Sequence, residues 1–546
     1  MSENLPNPEQ ENVKKTFGEV VSDAFKELKE TFIAFIKAPK ALWGINVPYI
    51  IEGLVYFGIL TILGKYASEN LALKDTQASL IYSGVTGGIT FAMLLLGGYS
   101  DKLGVRTSLA LAFLAMLIGR VMVALSGTLN LANGLWSPMF FMMTAGLLIM
   151  VMGYGLYQPA AYAGVKRYTN KQTAAMGYAV IYGFMNLGAF FSGFISSFTR
   201  QSFEDVFPPN GLTAVFWVYV VLTALSLLIT VLILTRKTDQ EAVEKIAREN
   251  IELGGEEAEE KEEDKEEFEK PKINNGMLIL YSVLAVVFFL LSGFGFDNDI
   301  NIVYQFEIFN ITATLDVAFI LFVVMVVMAV TDYLKRRPYH PFRDLRFTFF
   351  IFILIPVQTL FAHNWLTLPY YLDRAFAGSV VSEYFEVFTN INPILIFFLT
   401  PIVAGLTARA NVYKMMIYGT FVMAVPTFLL ALGPNLVLFL LYVFIMTVGE
   451  AMWQPRFLQW IAEVAPEGKT GLYMGVGQFP WFLTKVVTGF YSGWFLTQYC
   501  PANTPPSEMN TEVMWLIYGL IAIVSPVALV LAKNWMLKGF KTKHGE

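Results

Sequence analysis

From residue 43 onward the chain is a succession of unbroken apolar runs. Each run is about 20 residues long, the length a helix needs to cross the hydrocarbon core of a bilayer. They do not alternate between apolar and polar residues, so they predict spanning helices and exclude a β-barrel. The runs fall at 43–66, 77–99, 107–127, 137–163, 173–198 and 212–235, then at 276–296 and 314–334, then at 345–367, 384–408, 412–432, 435–458, 470–497 and 512–533. With 55% hydrophobic residues and a mean hydropathy of +0.54, the chain is too apolar for a water-soluble globule. The expected fold class is an all-α membrane protein of about fourteen transmembrane helices.

Two charges interrupt the runs near their centres, Glu450 in VFIMTVGEAMW and Lys485 in PWFLTKVVTGFY, and Glu52 in YIIEGLVYFG makes a third. A charge at that depth costs at least about 2.5 kcal/mol unless it is paired or faces a water-filled cavity. Such residues point to a chain that moves something polar across a membrane. Lys485 stands about 20 Å from either end of its run at 1.5 Å per residue, too deep to reach water easily.

The formal charge of −5 is concentrated in one acidic segment between Asp239 and Glu269, and the rest of the chain is net basic. If the runs alternate in direction, Lys102, Arg106, Lys166, Arg167, Arg236, Lys237, Lys335, Arg409, Arg456 and Lys538 fall on one side. The sparse side keeps Lys65, Lys74, Arg200 and Arg374. The basic side is therefore expected to be cytoplasmic, with both termini and the acidic linker on it. The start MSENLPNPEQ predicts no cleavable signal peptide. The expected organisation is an amphipathic segment 1–41, a six-helix bundle 42–235, an acidic linker 236–274, a two-helix hairpin 275–337, a second six-helix bundle 338–535 and a tail 536–546. The linker cannot bury a core and is expected to be a solvated spacer, disordered or a fraying helix.

The loop after the second run reads GGYSDKLGVRTSLAL, with Gly97, Asp101, Lys102, Gly104 and Arg106. It resembles the G-x-x-x-D-R/K-x-G-R-R/K loop of the major facilitator superfamily, with Val105 where a basic residue is usual. The resemblance implies two six-helix bundles around a central cavity. It also implies that Gly97, Asp101 and Arg106 form a conformational latch that holds the bundles together on the cytoplasmic side.

Further segments resemble the proton-coupled oligopeptide transporters of that superfamily. EGLVYFGILTILGKY, GYGLYQPAAYAGVKRYT, YGFMNLGAFFSG and GEAMWQPRFLQWIAEVAPEGKTGLYMGV are similar to its motifs in spans one, four, five and ten to eleven. The hairpin between the bundles is also a feature of bacterial members. Two basic positions depart from the pattern. Where E-x-x-E-R is usual the chain has Tyr49, Glu52 and Gly53, and Gln158 replaces the span-four lysine.

The resemblance implies Glu52 and Glu450 as proton-coupling residues, with Glu450 also meeting the substrate. A substrate site is expected from Tyr56, Tyr154, Gln158, Asn186, Asn390, Glu450, Trp481 and Lys485. In that site Lys485 either pairs with Glu450 or supplies the positive charge missing from spans one and four. Arg120 in LIGRVMVAL is read as helix-paired or reaching for the interface, on a peripheral span. His363, close to the outer boundary, is read as a proton relay or an interfacial residue. No metal-ligand spacing, nucleotide loop or Ser/His/Asp set points to an enzyme. The expectation is a monomeric integral protein of a bacterial inner membrane. It would need no cofactor, bind no nucleic acid, and use a proton gradient to carry a small peptide-like, polar or anionic solute. Proton-driven efflux of an amphipathic compound and a transport-dead receptor or scaffold are the alternatives.

Overall fold

The computed structural model describes residues 39–169, 174–252, 276–292, 303–308, 311–337, 340–407, 410–464 and 479–537, with isolated positions between 18 and 29 and between 473 and 477. Most of the amphipathic segment 1–41, of the acidic stretch and of the tail lies outside the described residues.

The first half is α1 (Lys40–Lys65), α2 (Asp75–Leu103), α3 (Val105–Thr128), α4 (Pro138–Arg167), α5 (Ala174–Ser202) and α6 (Leu212–Ile233). Next come α7 (Arg236–Glu252), α8 (Gly276–Leu291), an antiparallel ribbon of β1 (Val303–Ile308) and β2 (Ile311–Asp316), and α9 (Val317–Lys335). The second half runs α10 (Leu345–Ile353), α11 (Ile355–Leu366), α12 (Leu368–Ala375), α13 (Val380–Glu383), α14 (Phe385–Thr389), α15 (Ile391–Leu406), α16 (Val412–Ala424), α17 (Thr427–Leu430), α18 (Leu436–Val464), α19 (Phe479–Tyr499) and α20 (Thr511–Leu537). Eleven helices among the described residues are long and apolar enough to cross a membrane. With the shorter apolar α8 and the bundle helices α2 and α19, the spans come to about fourteen.

Two hydrophobic cores define the two bundles. One is drawn from Ala41 to Ala242, the other from Phe347 to Met536. In the first, α1 packs on α5 and α6, and α3 on α4 and α6. In the second, α18 packs on α15 and α16, and α11 on α19 and α20. The bundles meet where α2 lies along α19 and α5 along α14 and α15.

Proline divides several spans of the second bundle. Pro356 follows the break between α10 and α11, and Pro426 that between α16 and α17. Asn390 and Pro393 mark the α14–α15 break. Gly104 turns the chain between α2 and α3 with φ 77°, a conformation that disfavours any side chain with a Cβ.

Two features differ from the sequence reading. The hairpin carries a β-ribbon that an all-helical expectation lacks; β2 reads ITATLD, whose β-branched residues suit a strand. The linker begins as a docked helix. Ala242 and Ile246 of α7 are buried, and Asp239 accepts from Arg167 Nε (3.0 Å), Arg167 Nη2 (3.1 Å) and Tyr168 Oη (2.6 Å) at the end of α4.

Candidate functional site

A cavity of about 260 Å³ lies between the bundles. Helices α1, α2, α4 and α5 line it from one side and α11, α15, α18 and α19 from the other. Of the eight residues expected at a substrate site, Tyr56, Gln158, Asn186, Glu450, Trp481 and Lys485 line it. Tyr154 and Asn390 do not. Asn390 instead bridges the bundles, donating from Nδ2 to Thr61 Oγ1 (3.0 Å) and to the Glu386 carbonyl (2.8 Å).

Glu450 and Lys485 are the two charged residues in the cavity lining. They are brought to one cavity without an ion pair between them. Glu450 Oε2 accepts from Asn392 Nδ2 at 2.8 Å, and the same amide donates to Thr447 Oγ1 at 2.9 Å. Lys485 Nζ has no hydrogen bond or ion pair among the described residues. Its backbone carbonyl accepts from Ser83 Oγ of α2 at 2.9 Å, so the residue is fixed where the bundles touch. Part of the wall is aromatic: Trp481 and Phe361 line it and meet at 5.2 Å, and Trp481 stacks on the buried Trp453 at 6.3 Å. Phe57 meets Trp365 across the bundle interface at 5.1 Å.

Glu52 stands apart from the cavity lining, inside the first bundle. Its carboxylate accepts from both terminal nitrogens of Arg120, one at 2.9 Å, and from Tyr154 Oη. Arg120 also donates to Tyr154 Oη (2.7 Å) and Thr223 Oγ1. The pair is sealed, Arg120 at 0% exposure and Glu52 at 2%. Arg120 is therefore helix-paired, its side chain sealed inside the bundle while the outer face of α3 exposes Leu111, Leu114 and Ile118. Tyr154 packs edge-on at 5.3 Å against Tyr56, which lines the cavity. Sequence reasoning missed Arg120 as the partner of Glu52, although an arginine inside an apolar run was the available signal.

A second missed group closes one end of the cavity. Lys65 of α1 meets Asp373, and Glu69 at 2.7 Å. Arg374 meets Asp75 of α2 (2.7 Å and 3.1 Å), and Arg200 of α5 meets Glu386 of α14 (2.5 Å). Every ion pair joining the bundles among the described residues lies at this end, where α1 and α5 finish and α2 begins. A hydroxyl contact reinforces it, with Ser68 Oγ 3.2 Å from Tyr370 Oη. The sparse basic residues Lys65, Arg200 and Arg374, which served only to set orientation, carry this closure. At the opposite end, Gly97 and Asp101 lie in α2 but outside the described side chains, and Arg106 is exposed. His363 is buried, held by Thr367 (2.8 Å) and Tyr491 (3.0 Å).

Two helical bundles closed over a charged cavity define a membrane transporter. Residues 47–382 match the Major Facilitator Superfamily, and the chain belongs to that family. Solved structures share its fold at low identity. A variant of a peptide transporter POT in complex with sulfate is 17% identical, with TM-score 0.64 over 92% of this chain and 95% of that one. A POT family transporter in complex with 5-aminolevulinic acid is 16% identical, with TM-score 0.56 over 91% and 97%. A bacterial homologue of the human drug peptide transporters PepT1 and PepT2 is 16% identical, with TM-score 0.58 over 91% and 99%. Among curated proteins nothing matches.

Proposed function

We propose that the chain is a proton-coupled symporter of a small peptide-like, polar or anionic metabolite, working as a monomer by alternating access in a bacterial inner membrane. Both chain ends would face the cytoplasm, and the proton gradient would be its only energy source. The observation that carries this reading is Glu450, a carboxyl in the cavity between the bundles held by a neutral amide and, among the described residues, by no cation. A carboxyl so placed can take a proton from one side and give it up to the other when the bundles rock. The ion pairs at the Lys65 end support the rocking, since three cross-bundle pairs with partly exposed members can part into water. In this state the cavity is closed toward the outside.

Glu52 fits a different part in this account. Paired to Arg120 and away from the cavity lining, it holds the first bundle together. The likeness in fold to peptide transporters supports a peptide-like cargo.

Uptake into proteoliposomes tests the reading. Wild type should accumulate its solute when the outside is made acidic, and Glu450→Gln should lose that accumulation while keeping exchange of solute between equal pools. A Glu450→Gln protein with full pH-driven accumulation would refute it.

A further inference from the structure

We propose that the solute driven by protons is a compact organic monoanion, and that anion and proton cross as an electroneutral pair. This rests on Glu450 as the coupling acid and adds the charge of the cargo. The argument begins with the charges in the cavity lining, one ammonium on Lys485 and one carboxyl on Glu450. The remaining titratable groups around them are the phenols of Tyr56 on α1, Tyr82 on α2 and Tyr182 on α5, which carry no charge at neutral pH. Tyr442 lies two turns before Glu450 on α18. On α11, His363 is engaged by Thr367 and Tyr491, stacks on Tyr518 of α20, and stays outside the lining. Glu386 on α14 is taken up by Arg200, and Glu52 on α1 by Arg120.

A cavity that closes on both sides during the cycle disfavours a net charge inside it. Empty and with Glu450 ionised, the Lys485 and Glu450 charges cancel. An added monoanion leaves one negative charge in excess, and a proton on Glu450 removes it. Anion and proton therefore each favour the binding of the other, which is the requirement for symport. For a zwitterion the count reverses: the loaded cavity is neutral without a proton and positive with one. A cationic solute is worse in both states. Only a net negative cargo makes the proton an aid to closure.

The donors agree with the count. Thr484, next to Lys485, donates to Gln358 Oε1 at 3.1 Å, and Gln358 Nε2 is buried without a hydrogen-bond partner. A buried amide donor left unpaired is costly, and an anion beside the ammonium would satisfy it. At about 260 Å³ the cavity suits a solute of few heavy atoms.

The test uses the full chain in proteoliposomes, with pH gradient and membrane potential imposed separately through potassium and valinomycin. The probes are N-acetylalanine (a monoanion), alanylalanine (a zwitterion) and alanylalanine amide (a cation). Expected is accumulation of N-acetylalanine with the pH gradient and indifference to potential; a cycle carrying one net charge would respond by up to about fiftyfold per 100 mV. Lys485→Gln should cut this uptake by at least about tenfold, the worth of one charge-assisted hydrogen bond. Lys485→Arg, which keeps the charge, should retain uptake, separating loss of charge from loss of fold. Alanylalanine or its amide as the proton-driven solute, a potential-driven anion flux, or unchanged uptake in Lys485→Gln would each overturn the proposal while leaving a proton-coupled transporter in place. If no probe moves with the pH gradient, the proton-coupled reading falls and the proposal with it.

Discussion

At the scale of single residues, two buried acids that look alike in sequence have opposite surroundings. Glu52 is saturated by Arg120 and Tyr154, whereas Glu450 meets one amide. On the proposed account the first arrangement is structural. Removing one partner of a buried pair strands the other charge, so Glu52→Gln or Arg120→Met alone should cost about 3–5 kcal/mol of stability. The double change Glu52→Met with Arg120→Met should cost less than the sum, read as thermal unfolding of the detergent-purified protein. Outside the spans, His340 offers a pH-dependent contact: its Nδ1 accepts from the Phe342 amide at 3.2 Å, which only an unprotonated ring can do. Burial, with Arg337 nearby, holds that ring below its ordinary value. Stability from this turn is therefore full above about pH 6.5 and is lost as pH falls toward the lowered folded value. The protection factors of the amides at 342–345, corrected for intrinsic exchange, should fall on acidification below that point in wild type and stay level in His340→Gln.

At the scale of elements, the α2–α19 seam sets how tightly one end of the molecule closes. Gly493 faces the α2 backbone so closely that a Cβ there would lie 2.5 Å from the Thr76 Cα and 2.6 Å from the Asp75 carbonyl oxygen. Gly493→Leu must therefore push α19 from α2. Spin labels placed at 69 and 383, on opposite bundles, should report a longer separation in Gly493→Leu than in wild type, and transport should fall. The spans themselves were legible because a run of about 20 apolar residues admits few alternatives to a membrane helix. The breaks between α10 and α11 and between α16 and α17 follow prolines that were equally visible. The pairing of Arg120 with Glu52 was not legible, since 68 residues separate them and only the packing of α1, α3 and α4 brings them together. The cavity was partly legible for the same reason: polar residues at depth identify themselves, but Asn390 and Tyr154 turn away from it, and only coordinates decide that.

At the scale of the whole molecule, the fold places a cavity with two charged residues in its lining between two separately cored bundles and ties them at one end by ion pairs. Breaking those ties should shift the balance toward opening at that end. In the combined variant Asp373→Asn with Glu386→Gln, the labels at 69 and 383 should populate a longer distance at neutral pH. The bundles would then spend more time open at the Lys65 end. The central claim is narrower: solute movement through this cavity carries a proton on Glu450. The most direct measurement is the internal pH of proteoliposomes, followed with a trapped pH dye when transported solute is added outside with no gradient present. The account predicts acidification of the lumen with wild type and none with Glu450→Gln, although solute still exchanges. Acidification of equal size with Glu450→Gln would contradict it.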